Sequence, residues 1–313
     1  MYSLNYQLDY QNKKVKFSFN RPTRDALSLQ GEFIEAAQIC KEKANGRIVL
    51  CFSGGLDSEL ACKALQYVGA NFTAITFVYN QWYNHYDIHQ AKTTYDELGL
   101  PHRLIEMDIE HIIDYKIDEY HEQGYHGNNI YRFMQLEFIK RAYDFGDFPI
   151  ICSGEQRFML KNLDDNTMIN HQNVLKYKDK NNETGILISA GSTNVLEYLK
   201  ENKLSANPYF LYTSPELMVA YQQVPIINFS LQQKDFYSTS AITYGMKNIA
   251  YHNTWPELRM RRKSNGFDDI APEYKQKFTE KLAESYITEP QNYWLSLTEL
   301  RSQLGLMDVN QVI

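Results

Sequence analysis

Six consecutive residues, Ser53-Gly54-Gly55-Leu56-Asp57-Ser58, hold the densest chemistry in the chain. Two glycines let the backbone turn sharply and approach a ligand closely. Ser53 and Ser58 add hydroxyl donors, and Asp57 adds a carboxylate. Before them runs an apolar stretch, Ile48 to Phe52, of the kind expected for a buried parallel strand. After them Leu60, Ala61, Ala64 and Leu65 recur three and four apart, as on one face of a helix. A strand, turn and helix of this composition offer backbone N–H groups at a helix start, where the dipole favours an anion. The anion that suits the loop is a phosphate. Asp57 would repel it unless a cation sits between them, so the stretch asks for a divalent metal, Mg²⁺, with Asp57 as its ligand. The chain has no Gly-x-x-x-x-Gly-Lys-Ser/Thr loop, so the phosphate is not held in the Walker manner.

Other residues able to do chemistry lie in three places. Ser153-Gly154-Glu155-Gln156-Arg157 follows an apolar run, Pro149 to Cys152. Arg259, Arg261, Arg262 and Lys263 come between Trp255-Pro256 and the turn residues Ser264-Asn265-Gly266, and read as a loop over the site. An RNA-binding patch and a merely solvated face are the other readings of these cations. His85 and His89 are four apart without an evident third metal ligand, and are placed in the loop after the second strand, near a nucleobase. Of the cysteines, Cys40, Cys51, Cys62 and Cys152, none forms a C-x-x-C pair, and each reads as a reduced core residue. Cys152, beside the site, is the one a sulfur-transfer reaction would use as a nucleophile.

The elements that must position these residues follow in order. Residues 1–20 alternate polar and apolar about Gln11-Asn12-Lys13, which predicts a β-hairpin. A helix follows over Leu27 to Lys43, closed by Asn45-Gly46. Strands are expected at Ile48–Phe52, Phe72–Tyr79, His102–Met107 and Pro149–Cys152, with helices after the loop, over Thr93–Leu98 and over Ile130–Tyr143. This alternation predicts an α/β fold, a doubly wound parallel sheet with right-handed crossovers. Ligands sit at the carboxyl ends of strands in such sheets, where Ser53–Ser58, Val78–Asn80 and Ser153–Arg157 would meet. Beyond 161 the pattern gives a hairpin, Val174–Lys178 with Gly185–Ser189. Helices follow near Val195–Glu201 and Pro215–Gln222, then a short strand or buried loop at 225–229, and helices over 273–287 and 296–304. Three segments result: a hairpin-and-helix arm, 1–46; a nucleotide domain, 47–160; and a mostly helical substrate lobe, 161–313.

The chain has 313 residues and a formal charge of −6, enough to build a large core and too acidic for broad nucleic-acid binding. Its N-terminus is polar and no apolar run reaches membrane-spanning length, so a cytoplasmic protein with no membrane partner is expected.

The loop Ser53–Ser58 resembles the PP-loop of the ATP pyrophosphatase superfamily, which includes asparagine synthetase, 7-cyano-7-deazaguanine synthase, NAD synthetase and the tRNA thiolases. That resemblance implies a Rossmann-like, HUP-type domain and cleavage of ATP between the α and β phosphates. Two further stretches are similar to the synthetase domain of asparagine synthetase: Asn129 to Glu155, with its helix from Arg132 and its Ile150-Ile-Cys-Ser-Gly-Glu155, and Arg261 to Phe267. The resemblance implies that Ser53, Gly54, Gly55, Leu56, Asp57, Ser58, Val78, Ser153, Gly154, Arg157 and Arg261 hold ATP. Asp57 would hold Mg²⁺, and Lys263, Asp57 and Glu155 would carry the catalysis. The chain departs from the pattern where Gln156-Arg157-Phe158-Met159 replaces the family's second acidic metal ligand, and it has no glutaminase domain or cysteine at position 2. Ammonia or an amine would be free or supplied by another chain. The expected activity is adenylation of a carboxylate or related oxygen of a small molecule. The alternatives are sulfur transfer to tRNA or a nucleotide, and ATP binding without turnover.

Overall fold

The computed structural model describes residues 6–11, 14–82, 84–125, 130–152, 156–169, 173, 175–178, 180–188, 193–231, 240–258, 272–284 and 293–306. The N-terminal hairpin pairs β1 (Tyr6–Gln11) with β2 (Lys14–Phe19), Tyr6 opposite Phe19. Helix α1 (Leu29–Lys43) follows, with Ser28 Oγ accepting from the Gly31 amide as its cap.

Four strands form the parallel sheet: β3 (Ile48–Cys51), β4 (Phe72–Tyr79), β5 (His102–Met107) and β6 (Phe148–Ile151), in the order β5-β4-β3-β6. Connecting them are α2 (Leu56–Tyr67), α3 (His85–Leu98), α4 (Ile109–His111), a π-helical turn (Ile112–Lys116), α5 (Ile117–Glu122) and α6 (Ile130–Ala142). The alternation of a strand sends Ile48, Leu50 and Phe52 to one face and Val49 to the other. On the first face they meet α1, α2 and the Ala91 and Tyr95 side of α3. On the second, Val49, Ile75 and Phe77 meet the π-helical turn and Phe133, Met134 and Leu136 of α6. Helices on both faces make the sheet doubly wound, as its near-continuous apolar strands require. Burying each Leu, Ile or Phe stabilises by about 1.5–3 kcal/mol. The edge strand β5 exposes Arg103, Leu104 and Glu106, charges that discourage pairing with another chain.

A second, antiparallel sheet has the order β10-β9-β7-β8, from β7 (Phe158–Asn162), β8 (Met168–Ile169), β9 (Asn182–Ile188) and β10 (Tyr293–Ser296). This corrects the expected hairpin of 174–178 with 185–189. Residues 175–178 are turns, and β9 pairs with β7, Phe158 opposite Ile186. The remaining helices are α7 (Thr193–Glu201), α8 (Pro215–Gln223), α9 (Pro225–Leu231), α10 (Ser240–Thr254), α11 (Pro272–Glu284) and α12 (Leu297–Gln303). Residues 225–229 are therefore helical, not strand or loop: Pro225 supplies the φ that a first helical position needs. The largest apolar cluster joins Phe17 and Phe19, the first sheet face, and Tyr209, Met218, Tyr251 and Leu300, so it draws on all three segments marked in the sequence. Lys277 and Lys281 of α11 pair with Asp114 at 2.7 Å and Asp118 at 2.5 Å, fastening that helix to the second face.

Candidate active site

The order β5-β4-β3-β6 reverses direction between β3 and β6, because the chain fills one side through β5 before crossing to β6. At such a switch point the two neighbouring connections leave on opposite faces and open a crevice at the strands' carboxyl ends. Ser53–Ser58 leaves β3 there.

Inside the loop the two glycines do different work. Gly54 has φ +76°, and a Cβ on it would lie 2.2 Å from the backbone oxygen of Asp87 in α3. Gly55 has φ −82° and would tolerate a Cβ, whose nearest neighbour is Ser53 Oγ at 3.3 Å. Gly54→Ala is therefore expected to lower stability by about 1–2 kcal/mol from the backbone alone, and further through the clash with α3. Gly55→Ala should cost under 1 kcal/mol. Equal denaturant midpoints for the two variants would contradict this account of the turn.

A closed ring of hydrogen bonds orders the hydroxyls. Gly55 N–H donates to Ser53 Oγ at 3.3 Å, and Ser58 Oγ donates to the Gly55 carbonyl at 2.8 Å. Ser58 has thus used its one proton, so Ser53 is the donor in the 3.2 Å contact between the two hydroxyls. Gly55 is the N-cap of α2 and has no side chain to cover the first-turn amides. The starts of α1, α8 and α12 are instead capped by Ser28, Ser214 and Ser296.

Asp57, in the first turn of α2, faces α10. Lys247 Nζ donates to its Oδ2, and the Tyr251 hydroxyl donates to its Oδ1 at 2.9 Å. Lys247 and Tyr251 are four apart, on one side of α10. Lys247 is only 3 % exposed. Tyr251 is held edge-on by Phe33 at 5.6 Å and by Tyr221 at 6.3 Å. The sequence reading missed both residues, because it drew no helix over 240–254. The signal was there in Met246, Lys247, Ala250 and Tyr251, an i, i+4 doublet with a lysine inside it.

Behind the loop, a polar relay fixes Phe52, the residue before Ser53. Thr76 Oγ1 donates to the Phe52 carbonyl at 2.7 Å. With that proton committed, His102 Nε2–H is the donor in its 2.9 Å bond to Thr76 Oγ1. His102 also stacks on Tyr95, centroids 4.2 Å apart. Burial lowers the His102 pKa from 6.5 to about 4. Between those values the unfolded chain binds a proton that the folded chain refuses, so stability contributed at this site falls as pH falls from about 6.5 to about 4. His102→Gln keeps a donor and should flatten that part of the pH–stability curve. A wild-type minus variant difference that is constant from pH 4 to 7 would contradict the assignment.

The other expected residues are distributed as follows. Val78 is buried in β4, one strand away from β3. Leu56 is buried under the loop as the first residue of α2. Arg157 is exposed, its carbonyl accepting from the Leu187 amide, while Gln156 beside it is buried and donates to the Met218 carbonyl at 3.1 Å. His85 and His89 lie within α3, which begins eight residues before the expected Thr93, and not in a loop. Ser153, Gly154, Glu155, Arg259, Arg261, Arg262 and Lys263 lie outside the described residues. Burial pushes the thiols up: Cys40 to about 11, Cys51 and Cys62 to about 12, and Cys152 well above its ordinary value, with the Asp57 charge adding to it.

A divalent metal implied at Asp57 would have to share that carboxylate with two donors and take its remaining ligands from the phosphate chain and water. Both Asp57 oxygens are engaged by side chains. Among the described residues, no group of three or more His, Cys, Asp or Glu could hold a metal ion.

Residues 47–122 match the family model of the queuosine biosynthesis protein QueC. No curated protein matches the sequence. Among solved structures, the chain is similar to an NH3-dependent NAD synthetase from Campylobacter jejuni, at 16 % identity over 84 % of this chain and 97 % of that one, TM-score 0.32. It is similar to a predicted subunit of tRNA methyltransferase from Methanocaldococcus jannaschii, at 16 % identity over 78 % and 92 %, TM-score 0.34. An NMN synthetase from Francisella tularensis aligns at 18 % identity over 76 % and 97 %, TM-score 0.30. Taken with the Ser53–Ser58 loop, the match over 47–122 places that stretch with the PP-loop ATP pyrophosphatase superfamily.

Proposed function

We propose that this chain is an adenylating enzyme. It splits ATP into AMP and pyrophosphate and activates a carboxylate, or a related oxygen, of a small molecule for attack by ammonia or an amine. The observation that carries the reading is the placement of Ser53–Ser58 at the switch point, opening α2 without a capping side chain. Backbone N–H groups of the α2 start receive the phosphate chain, and the Ser53 and Ser58 hydroxyls turn from each other toward it. As the bond between the α and β phosphates breaks, charge gathers on the departing pyrophosphate, and fixed donors that need no reorganisation favour that state. Glu155, Ser153, Gly154, Arg157 and Arg261 belong to this proposal through the family resemblance, with the acceptor and its nitrogen donor on the β6 side of the crevice.

Sulfur transfer is the second reading, and Cys152, whose thiol feels the Asp57 charge, is its only candidate beside the loop among the described residues. Burial raises the thiol pKa values, which favours the neutral thiol over the nucleophilic thiolate at these four positions. Pyrophosphate release should be measured against a library of carboxylates with ammonium, in wild type and in a variant with all four cysteines replaced by serine or alanine. Turnover within about threefold of wild type is expected, allowing for a packing cost at buried sites. A folded, ATP-binding Cys152→Ala variant without turnover would select sulfur transfer.

A further inference from the structure

We propose that Trp82 is the platform on which the purine ring of the bound nucleotide stacks, while the Ser53–Ser58 loop takes its phosphate chain. The inference rests on the nucleotide reading above and names the residue that receives the other end of that ligand. Trp82 closes a short 3₁₀ turn, Asn80–Trp82, between β4 and α3. Two observations set it apart. Its indole is 54 % exposed and, among the described residues, makes no hydrogen bond or ring contact. Its backbone has φ +59°, a left-handed conformation that is unfavourable for a bulky side chain. Asparagine takes that conformation readily, and Asn80 and Asn84 stand on either side, yet tryptophan fills the position. A single exposed apolar residue is ordinary. One held exposed on a strained backbone is what a ligand contact preserves.

The turn is fixed at both ends. Asn80 Nδ2 donates to Asp108 Oδ1 at 2.8 Å, and Asn80 Oδ1 accepts from the Ile109 amide at 2.6 Å. Asn84, which is buried, donates to the Phe77 carbonyl at 2.7 Å and accepts from the Tyr79 amide at 3.0 Å. The indole is therefore presented from a frame that needs little ordering when a ring stacks on it. This frame adjoins the phosphate loop. Strand β3 ends at Cys51, opposite Ile75, while β4 runs on to Tyr79, so the carboxyl end of β4 forms a wall beside Ser53–Ser58. The first turn of α3 lies against the loop, where a Cβ on Gly54 would meet the Asp87 backbone oxygen at 2.2 Å. Trp82 stands five residues before Asp87, and the opening of α3 covers the last steps, which keeps the two Cα atoms within roughly 12 Å. The proposed acceptor takes the β6 side of the crevice, which leaves the β4 side for the base.

The test is calorimetric binding of two ligands to the full chain with Mg²⁺. One is ATP with a methylene bridge between its α and β phosphates, which cannot be split there; the other is inorganic pyrophosphate, which has no base. Trp82→Gly should weaken the ATP analogue by roughly tenfold to a hundredfold, the size of one base–aromatic stack, and leave pyrophosphate within about twofold. Trp82→Phe keeps an aromatic face and should bind the analogue within about fivefold of wild type. Glycine relieves the backbone, so Trp82→Gly should melt no lower than wild type, and its lost affinity then does not come from unfolding. Where it does melt below the assay temperature, Trp82→Asn takes its place, since asparagine also accepts the positive φ. The analogue should quench wild-type tryptophan fluorescence, with most of that quench gone in Trp82→Phe. Full-strength binding of the analogue to Trp82→Gly would overturn the inference and leave the phosphate site standing. An equal loss for the analogue and pyrophosphate would also overturn it, making Trp82 a support of the loop and not a seat for the base. A wild-type chain that binds neither ligand would overturn the inference and the nucleotide reading together.

Discussion

Asp57→Ala is expected to lower the melting temperature by roughly 5–10 °C, the largest stability loss of any single change in the loop. The change leaves the Lys247 ammonium buried without its carboxylate and the Tyr251 hydroxyl without its acceptor. Breaking a buried pair costs about 3–5 kcal/mol. The lower end applies, because the Asp57 side chain is 21 % exposed and water reaches it. Turnover should also fall by tenfold or more, because the carboxylate lies in the first turn of α2, where the phosphate chain is proposed to bind. A melting temperature within 2 °C of wild type, measured by calorimetry without ligand, would remove the pair from any central role.

Lys263→Ala is expected to lower the rate constant by about a hundredfold or more while changing ATP affinity little. Lys263 holds the lysine position of the stretch that resembles asparagine synthetase and precedes the turn residues Ser264-Asn265-Gly266. In the proposed reaction this lysine would meet the charge that gathers on the departing pyrophosphate, and so would matter more in the transition state than in the ground state. Lys263→Arg should rescue only in part, since a planar guanidinium differs in shape from an ammonium. Single-turnover kinetics with separately measured ATP affinity checks this split between rate and binding. Normal turnover of Lys263→Ala beside a dead Arg157 variant would place the moving cation after β6 instead.

Strands β3, β4 and β6 were legible because they are buried on both faces and read as near-continuous apolar runs, and the exposed edge strand β5 because it follows the Gly99 and Pro101 stop signals. Phe72–Tyr79 and His102–Met107 have the ends the sequence assigned, and Ile48–Cys51 differs by one residue. The loop was legible for a different reason: its residue types are set by backbone geometry and phosphate chemistry, both local. What stayed hidden depends on distant partners. Strand β9 pairs with β7, not with the nearer residues 174–178, and no local pattern encodes that choice. Helix α9 reads as a short apolar run, which periodicity alone cannot divide between strand and helix. Helix α10 was missed because its buried side carries Lys247 and Asn248, polar residues that dilute the apolar signal. Lys247 is buried against Asp57 of α2, so the feature that hid the helix also brings it to the loop.

The most direct test of the adenylation proposal is to identify the bond the enzyme breaks in ATP. Phosphorus NMR of ATP turned over by the purified full chain, with ammonium and the carboxylate library present, separates AMP and pyrophosphate from ADP and phosphate. The account predicts AMP and pyrophosphate in equal amounts, and their loss in Lys263→Ala. ADP with inorganic phosphate as the products would contradict it.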